Sequence, residues 1–161
     1  MKYLIIAMVI AALISPLMAL KPSRRQKKLV ALRDAARQCG LQVQVCADAI
    51  YDEDGNNPTS TRYYVPWLAK DLEGDVLKPW LLVRSSPRGR PSVWSGWCWH
   101  RHEASPRHQA ALANIVFELP KTVNGVSADS KGIGVYWQES DSVSSLLELE
   151  EQIKKMYRNI N

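Results

Sequence analysis

Side chains that could bind a metal ion are concentrated between residues 98 and 108. Cys98, His100 and His102 alternate, and His108 follows six residues later. In a β-strand, alternate side chains point to the same face at steps of about 6.6 Å, so three of them could converge on one metal ion. Thiolate and imidazole are common ligands of zinc, with donors about 2.0 to 2.3 Å from the metal. The pattern is therefore compatible with a zinc-dependent enzyme or sensor.

The same segment also has a simpler explanation. No second pair of cysteine or histidine residues completes a structural zinc site, and Glu103 is the only nearby carboxylate that could orient a histidine ligand. A strand that ends in a polar loop, ahead of a helix capped by Ser105, accounts for the pattern without a metal. We therefore expect no resident cofactor and keep zinc as the alternative.

A second candidate surface is the basic segment from Arg84 to Arg107, which holds five arginines and one glutamate, a net charge of +4. The chain also has six tryptophans, and basic residues interleaved with aromatic rings can bind single-stranded nucleic acid by stacking and charge neutralisation. A sheet with tryptophans in its core and a basic hairpin facing anionic lipid, at Arg84, Arg88 and Arg90, has the same composition. We favour the second interpretation and do not expect a nucleic-acid partner.

Other catalytic patterns are missing from the sequence. Gly132-Ile133-Gly134 lacks the third glycine of a dinucleotide-binding turn, no phosphate-binding loop is present, and no serine lies in a nucleophile elbow. The three cysteines are too few for a disulfide-rich scaffold. These observations favour a protein that is not an enzyme.

The strands and helices that carry these residues can be predicted from hydrophobic periodicity. Alternation predicts five strands, over residues 41–46, 61–69, 80–84, 92–100 and 132–138. Three- and four-residue spacing predicts three helices, one ending at Gly40, one from Ser105 to Pro120 and one from Asp141 to the end of the chain. Pro66 indicates that the second strand lies at an edge or is bulged. Residues 41–161 are therefore expected to form one α+β domain, a mainly antiparallel sheet of about five strands with helices packed on one face.

Ahead of this domain, residues 1–20 are predicted to be a transmembrane anchor. Tyr3 to Leu20 is a stretch of 18 residues without a charge, about 27 Å long as a helix, which is close to the bilayer hydrocarbon thickness of about 30 Å. The alternative is a signal peptide that is cleaved near Ala19, followed by export, but Leu17 stands where cleavage requires a small residue. We therefore expect an uncleaved single-pass anchor.

Residues 21–40 are predicted to form a basic juxtamembrane helix that continues from the anchor. They hold seven basic residues and one acidic residue, a net charge of +6 that exceeds the +5 of the whole chain. Basic residues that flank a transmembrane segment usually remain in the cytoplasm. Because the basic segment follows the anchor, the N-terminus is expected outside and the C-terminal domain in the cytoplasm. The basic collar, defined as Arg24, Arg25, Lys27 and Lys28, is also expected to contact anionic lipid headgroups.

The apolar stretch from Leu4 to Leu20, the flank Lys21-Pro22-Ser23-Arg24-Arg25-Gln26-Lys27-Lys28 and the short helix after it resemble the membrane-proximal part of YajC, an accessory subunit of the bacterial preprotein translocase. The resemblance covers about residues 1–40 and ends where Leu41-Gln42-Val43 replaces the Gly-Asp-x-Val segment of that family. The whole chain is similar to single-pass membrane-anchored proteins of Gram-negative bacteria, some of them labelled YajC-like. The resemblance implies a location in the bacterial inner membrane and implies no catalytic residues.

Together these observations predict a non-enzymatic, membrane-tethered scaffold or accessory domain of an inner-membrane assembly, with protein export as one candidate process. The expected partners are anionic lipids near the basic collar and a membrane protein that the sequence does not identify. Two alternatives remain open. One is a metal-binding enzyme or sensor that uses Cys98, His100, His102 and His108, and the other is anionic-lipid or nucleic-acid binding through the segment from Arg84 to Arg107.

Overall fold

A computed structural model describes residues 3, 23–46, 50, 60–68, 78–84, 86, 88–139 and 143–160. The chain divides into two compact units, Met1–Ala31 and Leu32–Asn161. Apart from Tyr3, the anchor predicted at residues 1–20 lies outside the described residues, and so does the alternative cleavage site near Ala19. Within the part of the chain that the structure describes, no helix has both the length and the apolar character needed to cross a bilayer.

Ten helices and strands make up the described part of the chain. The helices are α1 (Arg24–Gln38), α2 (Pro106–Ala113) and α3 (Val143–Ile160). The strands are β1 (Gln42–Cys46), β2 (Ser60–Pro66), β3 (Trp80–Arg84), β4 (Arg90–Pro91), β5 (Trp97–Trp99), β6 (Val123–Ala128) and β7 (Gly132–Trp137).

The seven strands form one sheet in the order β1-β2-β7-β6-β3-β5-β4. Every pair of neighbouring strands is antiparallel. The predicted α+β class with an antiparallel sheet is therefore confirmed, whereas the strand predicted at residues 92–100 is shorter and is limited to Trp97–Trp99.

The predicted number of about five strands is too low, because two strands escape the alternation rule. Strand β6 is buried on both faces over most of its length, so its sequence Val-Asn-Gly-Val-Ser-Ala does not alternate between apolar and polar residues. Strand β4 has only two residues, both exposed. The helix predicted from Ser105 to Pro120 is also too long, since α2 ends at Ala113 and a series of turns follows.

The prediction that the second strand lies at an edge or is bulged is wrong, because β2 lies between β1 and β7 and pairs with both in an unbroken register. Pro66 is its last residue, and the pairing with β1 has already ended at Tyr64. The next amide, Trp67 N–H, donates to Lys131 O on the β7 side, so the nitrogen of Pro66 points towards the side where no ladder partner is required. Proline is therefore tolerated at the end of an interior strand.

All three helices contribute to one core with the same face of the sheet. Leu32 and Ala36 from α1, Leu112 from α2 and Leu146 from α3 belong to this core cluster together with Leu82 of β3. The predicted apolar stripe of the last helix is confirmed, since five residues of α3 are buried, namely Leu146, Leu149, Ile153, Met156 and Ile160. The prediction that the helices pack on one face therefore holds for the three described helices.

We call the other side of the sheet the opposite face. Leu81, Val83 and Tyr136 point to it from the strands and form a second buried cluster with Ile50. Strand register places Arg62 beside Tyr136, so the side chain of Arg62 also lies on the opposite face. This face therefore combines a small apolar cluster with a buried arginine.

Candidate binding cleft on the opposite face

The four residues predicted as zinc ligands lie on different sides of the sheet. Cys98 is paired with Val83 and points to the opposite face, whereas His108 is buried among the helices, where its Nδ1 accepts a hydrogen bond of 3.1 Å from Trp80 Nε1. Strand β5 ends at Trp99, so the alternation that would align His100 and His102 with Cys98 does not continue. His102 is exposed. Among the described residues, no three histidine, cysteine, aspartate or glutamate side chains are close enough to hold one metal ion, so the zinc alternative has no support from this geometry.

Arg84 is half-buried and contacts other residues of the protein. Its guanidinium lies 4.5 Å from the centre of the Trp97 ring and donates to the carbonyl oxygens of Leu119, Pro120 and Val123. Burial lowers the pKa of the Arg84 guanidinium, as expected for a charge that is partly removed from water. This half-buried residue therefore joins the sheet to the segment before β6, and its contact with lipid or a polyanion stays a prediction.

Arg88 and Arg90 are the exposed members of the predicted contact set in this part of the chain. Arg90 donates to the carbonyl oxygen of Arg101 and forms a 3.5 Å ion pair with Glu103. The basic hairpin therefore presents less uncompensated charge than its sequence indicates.

All six tryptophans are buried, each with at most 9% of its surface exposed. Trp80 and Trp94 both pack against Trp99, with ring centres 6.0 Å apart in each pair. Rings that are buried in this way cannot stack on the bases of a nucleic acid. The tryptophans are therefore core residues, as the favoured interpretation of the basic segment predicts.

The basic collar occupies the first turn of α1. Ser23 and Gln26 form a reciprocal cap, in which Gln26 N–H donates to Ser23 Oγ at 3.2 Å and Ser23 N–H donates to Gln26 Oε1 at 2.8 Å. The helix therefore begins at Arg24, and the expectation that it continues from the anchor is wrong at this point. All four collar side chains are exposed.

Arg62 is the centre of the most unusual group of contacts on the opposite face. Only 2% of its surface is exposed. Its Nη1 donates to Asp129 Oδ2 at 2.7 Å, its Nη2 donates to Asp129 Oδ1 and to Gly132 O, and its guanidinium lies 4.8 Å from the centre of the Tyr64 ring. Its Nε–H has no hydrogen-bond partner among the residues that the structure describes. One buried arginine thus has two paired nitrogens and one unpaired donor.

Two glycines of β7 make this arrangement sterically feasible. Gly132 and Gly134 both lie on the opposite face, beside Pro66 and Tyr64 of β2. A Cβ atom on Gly132 would lie 2.9 Å from Cδ2 of Tyr64, and one on Gly134 would lie 2.6 Å from the Cα of Tyr64. Both separations are shorter than any normal contact, so the missing side chains allow β2 and the Tyr64 ring to approach β7 closely.

A small cleft lies beside this group. Its volume is about 60 Å³, and its walls include Gln44, Arg62, Leu81, Arg101, Ser127, Asp129 and Tyr136. Ser127 is 5% exposed, and its Oγ, like Arg62 Nε, is buried without a hydrogen-bond partner in the described part of the chain. Two unpaired polar groups on one cleft are unusual, because leaving a buried polar atom unpaired costs about 1 to 3 kcal/mol.

The tight turn between β6 and β7 holds Asp129 in place. Asp129 Oδ1 accepts from the backbone N–H groups of Lys131 and Gly132, at 2.8 and 3.2 Å. Burial acts to raise the pKa of Asp129, but the hydrogen bonds and the charge of Arg62, together with the two backbone donors, outweigh it and hold the pKa below its ordinary value. Asp129 therefore stays ionised beside Arg62 at neutral pH.

A second, half-buried ion pair lies on the helix side of the sheet. Arg33 donates to both carboxylate oxygens of Glu139, at 2.7 and 2.6 Å, and Tyr63 Oη donates to Glu139 Oε1 at 2.6 Å. Burial and this hydrogen bond raise the pKa of Tyr63. Burial also acts to raise the pKa of Glu139, but the hydrogen bonds from Arg33 and Tyr63 and the charge of Arg33 hold it below its ordinary value. This network ties α1 to β2 and to the residues after β7.

We expect acid to destabilise the domain through Glu139. Because its pKa is lowered in the folded state, its contribution is complete above the unfolded value of about 4.3 and is lost as the pH falls further. The loss of unfolding free energy between pH 6 and pH 3, measured by urea denaturation, should be smaller in Glu139→Gln than in the wild type. The control Glu103→Gln changes a carboxyl that is 49% exposed and should follow the wild type. Equal losses in all three proteins would contradict this role.

The sequence did not point to Arg62, Ser127 or Asp129 as site residues. From sequence, Gly132 and Gly134 stand out only as an incomplete dinucleotide-binding pattern. Two alternating glycines in a predicted strand also indicate a close approach by a neighbouring chain segment, and that signal could have located the site. The partner that approaches, Arg62 with Tyr64, is about 70 residues away in sequence and follows only from strand pairing.

Comparison with known proteins adds no relative from which a role could be transferred: no family model matches the chain, and no curated protein or solved structure matches it significantly.

Proposed function

We propose that this protein is a non-enzymatic accessory domain tethered to the bacterial inner membrane, with its basic collar at anionic headgroups on the cytoplasmic side and its C-terminal domain in the cytoplasm. The observation that carries the proposal is the position of the collar, which fills the exposed first turn of α1. A helix that begins with Arg24, Arg25, Lys27 and Lys28 has positive charge at the positive end of its dipole.

Basic residues at its N-terminus destabilise α1. Each exposed charge of the wrong sign in the first turn costs about 0.3 to 1 kcal/mol at low ionic strength, and the first turn of α1 has no acidic residue to compensate. A negatively charged surface next to the collar would reverse that cost, since each basic residue near an anionic leaflet contributes about 1 kcal/mol of attraction. The collar therefore makes physical sense if it faces a membrane.

The arginines of the second unit are used differently. Arg62 forms a buried ion pair, Arg33 forms a half-buried one, and Arg84 donates to three carbonyl oxygens. The collar residues, in contrast, form no ion pair with any residue that the structure describes. The collar thus carries positive charge that is not compensated by any described residue, which supports its role in setting orientation.

The accessory role of residues 32–161 is proposed from their separate core and from their connection to the predicted anchor. The unit has its own core and is joined to a predicted anchor, as expected for a domain that holds a partner at the membrane surface. The resemblance of residues 1–40 to a translocase accessory subunit makes an export complex one candidate partner. Crosslinking of the full-length protein in intact cells, followed by identification of the crosslinked membrane protein, would name it.

We expect that neutralising the collar will change the topology. In the variant Arg24→Gln, Arg25→Gln, Lys27→Gln, Lys28→Gln, the flank loses most of its charge, so a substantial fraction of molecules should place the C-terminus outside. Alkaline phosphatase fused after Asn161 is active only when exported. Its activity should be near background in the wild-type fusion and should increase about tenfold or more in the variant.

A matched control neutralises four exposed basic residues far from the predicted anchor, Lys78, Arg107, Lys121 and Arg158. These residues lie beyond the roughly 20 flanking residues that determine orientation, so the control should retain the wild-type topology. High phosphatase activity in the wild-type fusion would contradict the cytoplasmic location, and an unchanged topology in the collar variant would contradict the role of the collar.

A further inference from the structure

We propose that the outer edge of β1 pairs with β1 of a second copy of this chain, so that two domains share one continuous antiparallel sheet. Strand β1 is the end strand of the sheet, and it pairs with β2 alone among the strands that the structure describes. An exposed edge strand presents a row of N–H and C=O groups that another strand can bind. The contact is independent of the membrane tether proposed above, because β1 belongs to the unit Leu32–Asn161.

The direction of the backbone hydrogen bonds of β2 follows from a contact just after its end. Trp67 N–H donates to Lys131 O, on the β7 side. The backbone groups of successive residues in a strand point to opposite sides, so the odd-numbered residues of β2 face β7 and the even-numbered ones face β1. Gln138 N–H agrees with this assignment, since it donates to Thr122 O on the far side of β7 and leaves the odd-numbered residues of β7 facing β2.

Val43 and Val45 therefore supply the outer edge of β1. Gln44 lies opposite Arg62, an even-numbered residue of β2, so these two residues exchange hydrogen bonds within the β1–β2 ladder. The N–H and C=O groups of Val43 and Val45, on either side of Gln44, point away from β2. The side chain of Val45 is also 56% exposed, so both its backbone and its apolar side chain are accessible at this edge.

A second copy of β1 matches this edge when the two-fold axis passes through Gln44. Directly opposed residues of two antiparallel strands lie on the same face of the sheet, so a symmetric pair must have its axis at a residue. Gln44 is the central residue of β1, and an axis there pairs all five residues of the strand. Val43 then lies opposite Val45 of the second copy. Each of the two symmetric Val43–Val45 pairs exchanges two N–H···O=C hydrogen bonds, and the valine side chains cover each other.

The two edges of the sheet differ in the features that prevent such pairing. At the other edge, β4 has only two residues, Arg90 and Pro91. Short length, charge and proline are the usual protection of an exposed edge against a second strand. Strand β1 has five residues, Gln-Val-Gln-Val-Cys, without a charge, a proline or a bulge. An uncharged strand meets no electrostatic repulsion from its own copy, so β1 is the described edge that is suited to self-pairing.

The test is sedimentation equilibrium of the full-length protein in detergent micelles, combined with hydrogen exchange of its backbone N–H groups. We expect a monomer–dimer equilibrium, with the N–H groups of Val43 and Val45 exchanging more slowly as the protein concentration rises. A protein that stays monomeric at every concentration would refute the second copy. A dimer in which these two N–H groups exchange as fast as in the monomer would refute the edge as its interface. A monomer in which they are already protected would show that another segment covers the edge.

Val45→Pro removes an outward N–H group and leaves the β1–β2 ladder intact, because proline is tolerated in an edge strand where its nitrogen faces outward. The axis repeats the change, so two hydrogen bonds are lost and the dimer should be weaker by about tenfold or more. Val45→Lys, which places a charge at the same edge, should weaken the dimer similarly. The control Val93→Lys changes a valine that is 79% exposed and lies outside β1, and it should dimerise as the wild type does. Equal dimer affinity in the Val45 variants and the control would contradict the proposal.

A cysteine at the axis tests the register. Gln44 would lie opposite itself in a non-hydrogen-bonded pair with Cα atoms about 4.5 Å apart, within the range of about 4.4 to 6.8 Å that a disulfide spans. On mild oxidation, Gln44→Cys should form a dimer in which a disulfide joins the two introduced thiols, as mass spectrometry of its peptides would show. Val93→Cys should form no such dimer. Equal crosslinking of the two variants, or a dimer of Gln44→Cys without this disulfide, would refute the register.

Discussion

Replacement of Asp129 by alanine will lower the free energy of unfolding by about 3 kcal/mol. The variant leaves the guanidinium of Arg62 buried, with 2% of its side chain exposed, and without its counter-ion. Removing one partner of a buried ion pair costs about 3 to 5 kcal/mol. We expect the lower end of this range, because one third of the Asp129 side chain is exposed and water can approach the vacated position. Urea denaturation at pH 7 measures the change.

The matched control is Asp34→Ala, which breaks an ion pair of nearly the same length. Arg37 and Asp34 are 2.8 Å apart, but their side chains are 57% and 55% exposed. Exposed pairs contribute about 0 to 1 kcal/mol, so this variant should be nearly as stable as the wild type. Equal destabilisation by Asp129→Ala and Asp34→Ala would show that the burial of Arg62 does not matter.

A double variant separates the loss of attraction from the cost of an unpaired charge. Arg62→Met with Asp129→Leu removes both charges and leaves apolar side chains of similar size. Because replacing a whole buried pair is often neutral or even stabilising, this protein should be more stable than Asp129→Ala alone. If the double variant is less stable than the single one, the stabilising interactions of Arg62 with Gly132 and Tyr64 exceed the penalty of its buried charge.

Replacement of Gly134 by alanine will destabilise the protein by about 3 kcal/mol, at the upper end of the usual cost of overpacking. The new Cβ would overlap the carbonyl oxygen of Tyr63 and the Cβ of Tyr64, and it would lie 2.6 Å from the Cα of Tyr64. These atoms belong to the backbone of β2 or lie next to it, so a rotamer change cannot relieve the contact. Because β7 is paired on both sides, moving it would also disturb its ladder with β6.

Gly125→Ala is the control for this prediction, since Gly125 faces the same side from the neighbouring strand. Its added Cβ would lie 3.2 Å from Leu82 O, 3.4 Å from Tyr136 and 3.5 Å from Ile50, contacts that small movements can relieve. We expect a cost of about 1 kcal/mol. Thermal unfolding of both variants should place Gly134→Ala clearly below Gly125→Ala. The reverse order would contradict the close approach of β2 to β7.

The parts of the fold that could be predicted from sequence are those in which local periodicity and burial agree. The apolar stripe of α3 repeats every three or four residues, and each predicted member of it is buried. Ser105 followed by Pro106 correctly predicts the start of α2, where Ser105 Oγ accepts from His108 N–H. Strand β6 could not be predicted in this way, because it is an interior strand whose side chains are buried on both faces of the sheet, so its sequence does not alternate.

In the candidate site, too, some features are visible in the sequence and others depend on the pairing of distant strands. The charge of Arg84 is visible in the sequence, but the carbonyl oxygens that bind it come from a loop about 35 residues later. Arg62 and Asp129 are 67 residues apart and meet only because β2 and β6 both neighbour β7. Residue types state which groups are charged, whereas the pairing of strands decides which charges are compensated.

The charge distribution, the α+β class and the apolar stripe of α3 follow from the sequence alone, because these properties depend on neighbours within a few positions. Two placements follow from the tertiary structure alone. Cys98 and His108 lie on different sides of the sheet, and Arg62 and Ser127 border one cleft. The physical reason is that strand order and register are collective properties of the whole sheet. A shift of one residue in any pairing would move every side chain of that strand to the other face.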